Sequence, residues 1–139
     1  MNRRAPVFLA GVVLAILSVR LRPVSASSNA DPVERGRYLT HDVAMCVQCH
    51  SPRSDKGDIQ RDQEFAGARI RVESPFPGPP WATHAPNLRG LVGFSDEAIL
   101  RLLVEGIAHT GAPPQPPMPP FRMNREDATA VVAYLRSLR

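Results

Sequence analysis

Cys46-Val47-Gln48-Cys49-His50 contains both cysteines of the chain and follows them directly with a histidine. Two thiols at this spacing on a helical turn can each add across a vinyl group of haem, and the next histidine falls beneath the macrocycle, where it can ligate the iron. The stretch reads as a covalent haem c site, with Cys46 and Cys49 as attachment points and His50 as an iron ligand. Three other chemistries use parts of the pattern. A thioredoxin-like redox pair has the same cysteine spacing but belongs near a βαβ pattern, and little of this chain reads as strand. A structural zinc site needs four ligands, which without a second cysteine pair would have to come from His41, His84 and His109. A disulfide across two intervening residues closes too small a loop to staple a domain.

The 139 residues suit one domain, and 15 prolines mark it as loop-rich. The formal charge of +4 is unevenly placed: Arg3, Arg4, Arg20 and Arg22 lie in the first 26 residues, which carry no Asp or Glu. Without that segment 13 Lys+Arg (17 less these 4) face 13 Asp+Glu, so the body is formally neutral. A nucleic-acid partner needs cations clustered on the folded surface and is poorly supported.

Residues 7–19 form an apolar run after Arg3 and Arg4, broken only by Gly11 and Ser18. As a helix it would cover about 20 Å, short of a ~30 Å hydrocarbon core. Residues 1–26 are therefore expected to be a signal peptide cut after Ala26, with Ala30 as a second candidate, and residues 31–139 the domain. Arg20 and Arg22 keep an uncleaved membrane anchor as the alternative. Either outcome puts the body outside the cytoplasm, in the periplasm of a bacterium, where haem c is attached.

In the body, Asp31-Pro32 predicts a helix start, and Val33, Leu39, Val43 and Val47 roughly follow helical spacing, so one helix is expected to run into the cysteine motif. Gly36 inside it costs on the order of 1 kcal/mol relative to alanine, which points to close approach of another helix. Residues 51–83 read as a long irregular excursion, with a short hairpin or extended piece at 65–72 and a proline-rich piece at 74–80. A large cofactor would give such a loop a surface to pack on. Arg69 and Arg71 could meet haem propionates and Trp81 could cover a haem edge, although ordinary surface and packing roles suit each of them. Ser95-Asp96-Glu97 predicts a second helix with Ile99, Leu102, Leu103 and Ile107 inward and Gly106 near its end. The last helix opens at Asn124, with Ala128, Val131, Val132, Leu135 and Leu138 as its buried stripe.

Iron held by His50 needs a partner on the opposite face, and the candidates are Met118, Met123, Met45, His84, His109 and His41. Met45 and His41 are too near His50 along the chain to reach around the ring. Met123 sits against the cap of the last helix and suits a core role. Met118 stands among six prolines in residues 111–120, a stiff segment able to present one side chain firmly. A thioether also raises the reduction potential relative to histidine. Met118 is the expected sixth ligand, followed by Met123 and then His109 or His84.

Gly36-Arg37-Tyr38-Leu39, the cysteine motif, Pro86-Asn87-Leu88 with Gly90, Met118-Pro119-Pro120-Phe121 and the closing Val131-Val132-Ala133-Tyr134-Leu135-Arg136-Ser137-Leu138 occur in that order. Over about residues 32–138 the chain resembles the class I cytochrome c family, particularly small bacterial cytochromes and cytochrome subunits of periplasmic dehydrogenases. The resemblance implies an all-α, cytochrome c-like helical domain wrapped around one covalent haem c. It further implies that the first and last helices cross with Gly36 against Tyr134 and Leu135, that the Pro86 carbonyl accepts a hydrogen bond from the His50 ring, and that His50 and Met118 are the axial ligands. The excursion at 51–83 and the dense prolines before Met118 depart from the family pattern.

The resulting expectation is electron transfer without substrate chemistry, between a periplasmic dehydrogenase, oxidase or membrane complex and an acceptor. The alternatives are a dedicated dehydrogenase subunit docked through 51–83 and a peroxidase-like or gas-binding haem protein with an open sixth position.

Overall fold

The computed structural model describes residues 31–78 and 81–139, so the expected signal or anchor at residues 1–26 lies outside the described residues. Helix α1 (Pro32–Tyr38) starts where Asp31 accepts the Val33 N–H at 3.0 Å, with proline in the first turn. It widens into a π turn over Leu39–Val43 and stops. Met45 then takes a left-handed conformation (φ 54°) before α2 (Cys46–His50) begins. The single helix expected to run into the cysteine motif is thus two helices. The extra residue of the π turn shifts the helical register, so Val43, placed on the inward stripe by its spacing, is exposed while Val47 is buried.

Helix α3 (Asp96–Glu105) is capped by Ser95 and ends on Gly106 at φ 66°. Helix α4 (Arg125–Ser137) is capped by Asn124 and carries the densest buried stripe: Ala128, Ala130, Val131, Val132, Tyr134 and Leu135. Leu138, expected in that stripe, is only partly buried beside the core. Helices α1 and α4 cross with almost no space between them. A Cβ on Gly36 would overlap the Ala130 carbonyl oxygen and lie 2.6 Å from Tyr134 Cβ. The close contact expected at Gly36 is present, made with Ala130 and Tyr134.

Leu39, Val47, Phe65, Leu91, Ile99 and Leu103 pack around the α4 stripe. Full burial of such a side chain contributes about 1.5–3 kcal/mol, which makes this cluster the main source of stability. Phe65 and Leu91, both fully buried, hold positive φ angles of 62° and 49°. Strain of roughly 1–3 kcal/mol per residue is offset by what their side chains bury. Arg136 ties α4 to the turn before α3, donating to the carbonyls of Gly90 (2.7 Å) and Phe94 (2.7 Å) and to the Asp96 carboxylate (2.7 Å).

The excursion has more structure than its composition suggests. Ala68–Arg69 (β1) pairs antiparallel with His84–Ala85 (β2), Ala68 opposite Ala85 and Arg69 opposite His84. The Ile70 N–H extends the pairing to the Thr83 carbonyl at 2.8 Å. The predicted hairpin at 65–72 is therefore one arm of a wider hairpin whose second arm is 83–85. Residues 65–67 form the turn that leads into it. Periodicity within a segment could not show this, because the partner strand lies beyond the proline-rich stretch. Among the described residues no helix is long and apolar enough to cross a membrane.

Candidate haem site

His50 closes α2 and is 7% exposed. Its Nδ1 lies 2.9 Å from the Pro86 carbonyl oxygen, which can only accept, so Nδ1 carries the hydrogen and donates it. That bond fixes the ring orientation and leaves Nε2 as the unprotonated nitrogen, the form a metal requires. Burial pushes the His50 pKa below its ordinary value, partly countered by the bond to Pro86, and so favours the neutral ring.

The backbone around His50 is held equally closely. Gly67 donates its N–H to the His50 carbonyl at 2.8 Å, and Leu88 donates to the Phe65 carbonyl at 2.8 Å. Phe65 N–H in turn finds the buried Ser51 hydroxyl at 3.0 Å. The turn at 65–67 therefore joins the segment after the motif to the segment carrying Pro86. Gly67 has φ 85°, and a Cβ there would come 2.9 Å from the Asn87 nitrogen. No residue with a side chain fits the position without displacing the Pro86 loop.

Cys46 is half-buried and Cys49 exposed, and the two thiols are not joined to each other. Burial pushes the Cys46 thiol up to about 11. A cavity of about 420 Å³ opens beside Cys49, bounded by Gln48, Ser51, Pro52 and residues 68–72. A second, of about 650 Å³, shares residues 69–72 and extends to Trp81, Ala82 and Thr83. Both fall in the range of cofactor sites, about 300–1,000 Å³. Arg69, Arg71 and Trp81, named from the sequence as possible haem contacts, all border these cavities.

Of the sixth-ligand candidates, Met123 donates its N–H to Leu103 at 2.9 Å and packs against the hydrophobic core. Met118 is half-buried in the proline loop and is not among the described residues packed on that core. Met45 and His109 are exposed, and His84 is exposed on β2. His41 is used elsewhere. Its Nδ1 donates to the Arg37 carbonyl (2.9 Å), its Nε2 pairs with Glu64 (3.1 Å), and its ring meets Phe65 and Tyr134 edge-on at 5.3 and 5.7 Å. In the sequence His41 stands out only as a candidate ligand, whereas in the structure it bridges the helix crossing and the excursion. Its position one helical turn after Arg37 was the one available signal, and its partners are remote in sequence.

Among the described residues no three His, Cys, Asp or Glu side chains gather as a metal set, so the arrangement does not suit zinc. The site instead combines two unpaired thiols, a buried imidazole whose Nδ1 is held by the Pro86 carbonyl, and a cavity lined by Cys49. These features fit covalent haem. The sequence model of the cytochrome c family matches residues 33–139, and the chain belongs to that family. It is a c-type haem protein whose family carries electrons, and Cys46 and Cys49 stand in the motif through which that family binds haem c covalently. No curated protein matches the chain.

Proposed function

We propose that this chain is a mono-haem electron carrier with His50 and Met118 as axial ligands, exported to the bacterial periplasm and not itself an enzyme. Residues 1–26 serve as its signal peptide and residues 31–139 as the haem domain. It passes electrons between a periplasmic dehydrogenase or membrane complex and an acceptor. The observation that supports the reading is the 2.9 Å bond from His50 Nδ1 to Pro86, which commits that nitrogen and leaves Nε2 available as a ligand. Haem supplies the one-electron couple. The protein contributes orientation of His50 through Pro86, water exclusion by the packed α1, α3 and α4 faces, and a thioether from Met118 that favours the ferrous state.

The test is the spectrum of the purified holoprotein. A low-spin ferric form with the methionine-to-iron charge-transfer band supports the assignment, and Met118→Ala then abolishes that band, lowers the potential and opens the iron. A spectrum indifferent to Met118→Ala moves the ligand to Met123 or a histidine. A high-spin ferric form that reacts rapidly with peroxide establishes a haem enzyme instead. Cys46→Ala leaves haem poorly attached. The mass of the mature protein reports signal removal and the addition of one haem together.

A second reading, a dedicated subunit of a dehydrogenase, is favoured by the tip of the hairpin. Phe76 is 75% and Val72 59% exposed there, apolar area that a docking partner would cover. Shortening residues 72–78 then weakens co-purification with the larger enzyme, whereas a free shuttle keeps its turnover.

A further inference from the structure

The hairpin at 68–85 is hydrogen-bonded both to the segment carrying His50 and to the segment carrying Met118. At its root Gly67 donates to the His50 carbonyl (2.8 Å), and β2 runs directly into Pro86, whose carbonyl holds the His50 ring (2.9 Å). Along its length the rungs are Ala68 with Ala85, Arg69 with His84, and Ile70 N–H to the Thr83 carbonyl at 2.8 Å. At its far end the Ala82 N–H donates to the Pro116 carbonyl at 2.6 Å, two residues before Met118. Met118 itself donates to Gln115 at 3.3 Å, so the tethered residue and the methionine belong to one turn. An unbroken series of backbone hydrogen bonds therefore runs from the segment of His50 to the segment of Met118, passing through the least regular part of the sequence.

We infer that this hairpin is a strap that holds the Met118 turn in place, with the Ala82 N–H as its positioning group. The inference rests on the reading of Met118 as the sixth ligand. The proline loop is stiff but long, spanning residues 107–122 between α3 and the approach to α4, so stiffness alone does not fix where its middle lies relative to His50. Local rigidity keeps the shape of the Met118 turn. The bond from Ala82 fixes its position, and a misplaced thioether is a weak ligand that water or added imidazole displaces. Ala82 is not an iron ligand and acts through the loop, by way of the Pro116 carbonyl.

The experiment uses the ferric holoprotein and imidazole as the probe. Ala82→Pro removes the N–H, and Ala82→Gly keeps it. Loss of one hydrogen bond of ordinary net strength predicts that imidazole binds about fivefold more tightly to the proline variant, with a weakened methionine-to-iron band and a lower potential. The glycine variant retains the wild-type band. Unchanged imidazole affinity and band in Ala82→Pro overturn the strap. If that variant fails to hold haem, amide exchange in the wild type decides: displacing Met118 with imidazole must speed exchange at Ala82, and unchanged exchange overturns the proposal. Met118→Ala separates the two layers. A band that survives Met118→Ala removes the ligand reading and the strap together, whereas a band lost there but intact in Ala82→Pro removes the strap alone.

Discussion

The crossing of α1 and α4 and the hairpin at 68–85 are held together by different physics. At the crossing, a glycine and a run of small and branched side chains let two backbones touch, and burial of apolar surface supplies the stability. The hairpin has two-residue strands, an exposed tip and few buried side chains, and is held by backbone hydrogen bonds to segments remote in sequence. The first arrangement resists change everywhere. The second should be sensitive where its N–H groups meet the His50 and Met118 segments and tolerant at its tip.

The largest effect expected is at the crossing. Gly36→Val drives side-chain atoms into the Ala130 carbonyl and Tyr134, where no rotamer escapes the backbone. A loss of roughly 3–5 kcal/mol in denaturant unfolding is expected, and a loss below about 1 kcal/mol would show that the helices can separate without penalty. Next is the hairpin root. Gly67→Ala combines a φ of 85° with a Cβ 2.9 Å from the Asn87 nitrogen, and should cost about 2–3 kcal/mol. Because Gly67 also donates to His50, that variant should disturb the haem spectrum, which a purely structural defect at the crossing would not.

A smaller effect belongs to the contact joining the two regions. Burial alone would raise the Glu64 carboxyl, but hydrogen bonds from His41 and Arg61 outweigh it and hold the carboxyl below its ordinary range. A depressed folded-state value adds stability above the unfolded-state pKa, and that stability is lost as pH falls through the folded value. Glu64→Gln should therefore be less stable than wild type at neutral pH, by about 1 kcal/mol or less for a partly exposed pair. The gap should close on acidification, and a gap that persists at acid pH would argue against the ion pair. The smallest effect is at the tip: Phe76→Ser should leave stability within about 0.5 kcal/mol of wild type while slowing reduction by a cognate donor. A large stability loss there would mean the tip packs against the domain after all.

Legibility follows the same division. The caps at Asp31, Ser95 and Asn124, the end of α3 at Gly106 and the stripe of α4 are local signals, and each was readable because its partners lie within one or two helical turns. The break at Met45 was not, since a π turn looks like continued helical spacing until the register has already slipped. His41 and Arg136 were also opaque. Both are polar residues whose partners, Glu64 at 23 residues and the 90–96 turn at 40 to 46, are brought close only by the packed chain.

The sequence by itself determined the chemistry. Two cysteines and a histidine at fixed spacing select covalent haem c, because reactive groups adjacent in the chain stay adjacent in any fold. Only the tertiary structure decided how that chemistry is supported: which nitrogen of His50 is free, what keeps Gly67 a glycine, and what ties the Met118 turn to the hairpin. Those depend on close contacts between residues far apart in sequence, formed when burial of the apolar faces closes the chain on itself.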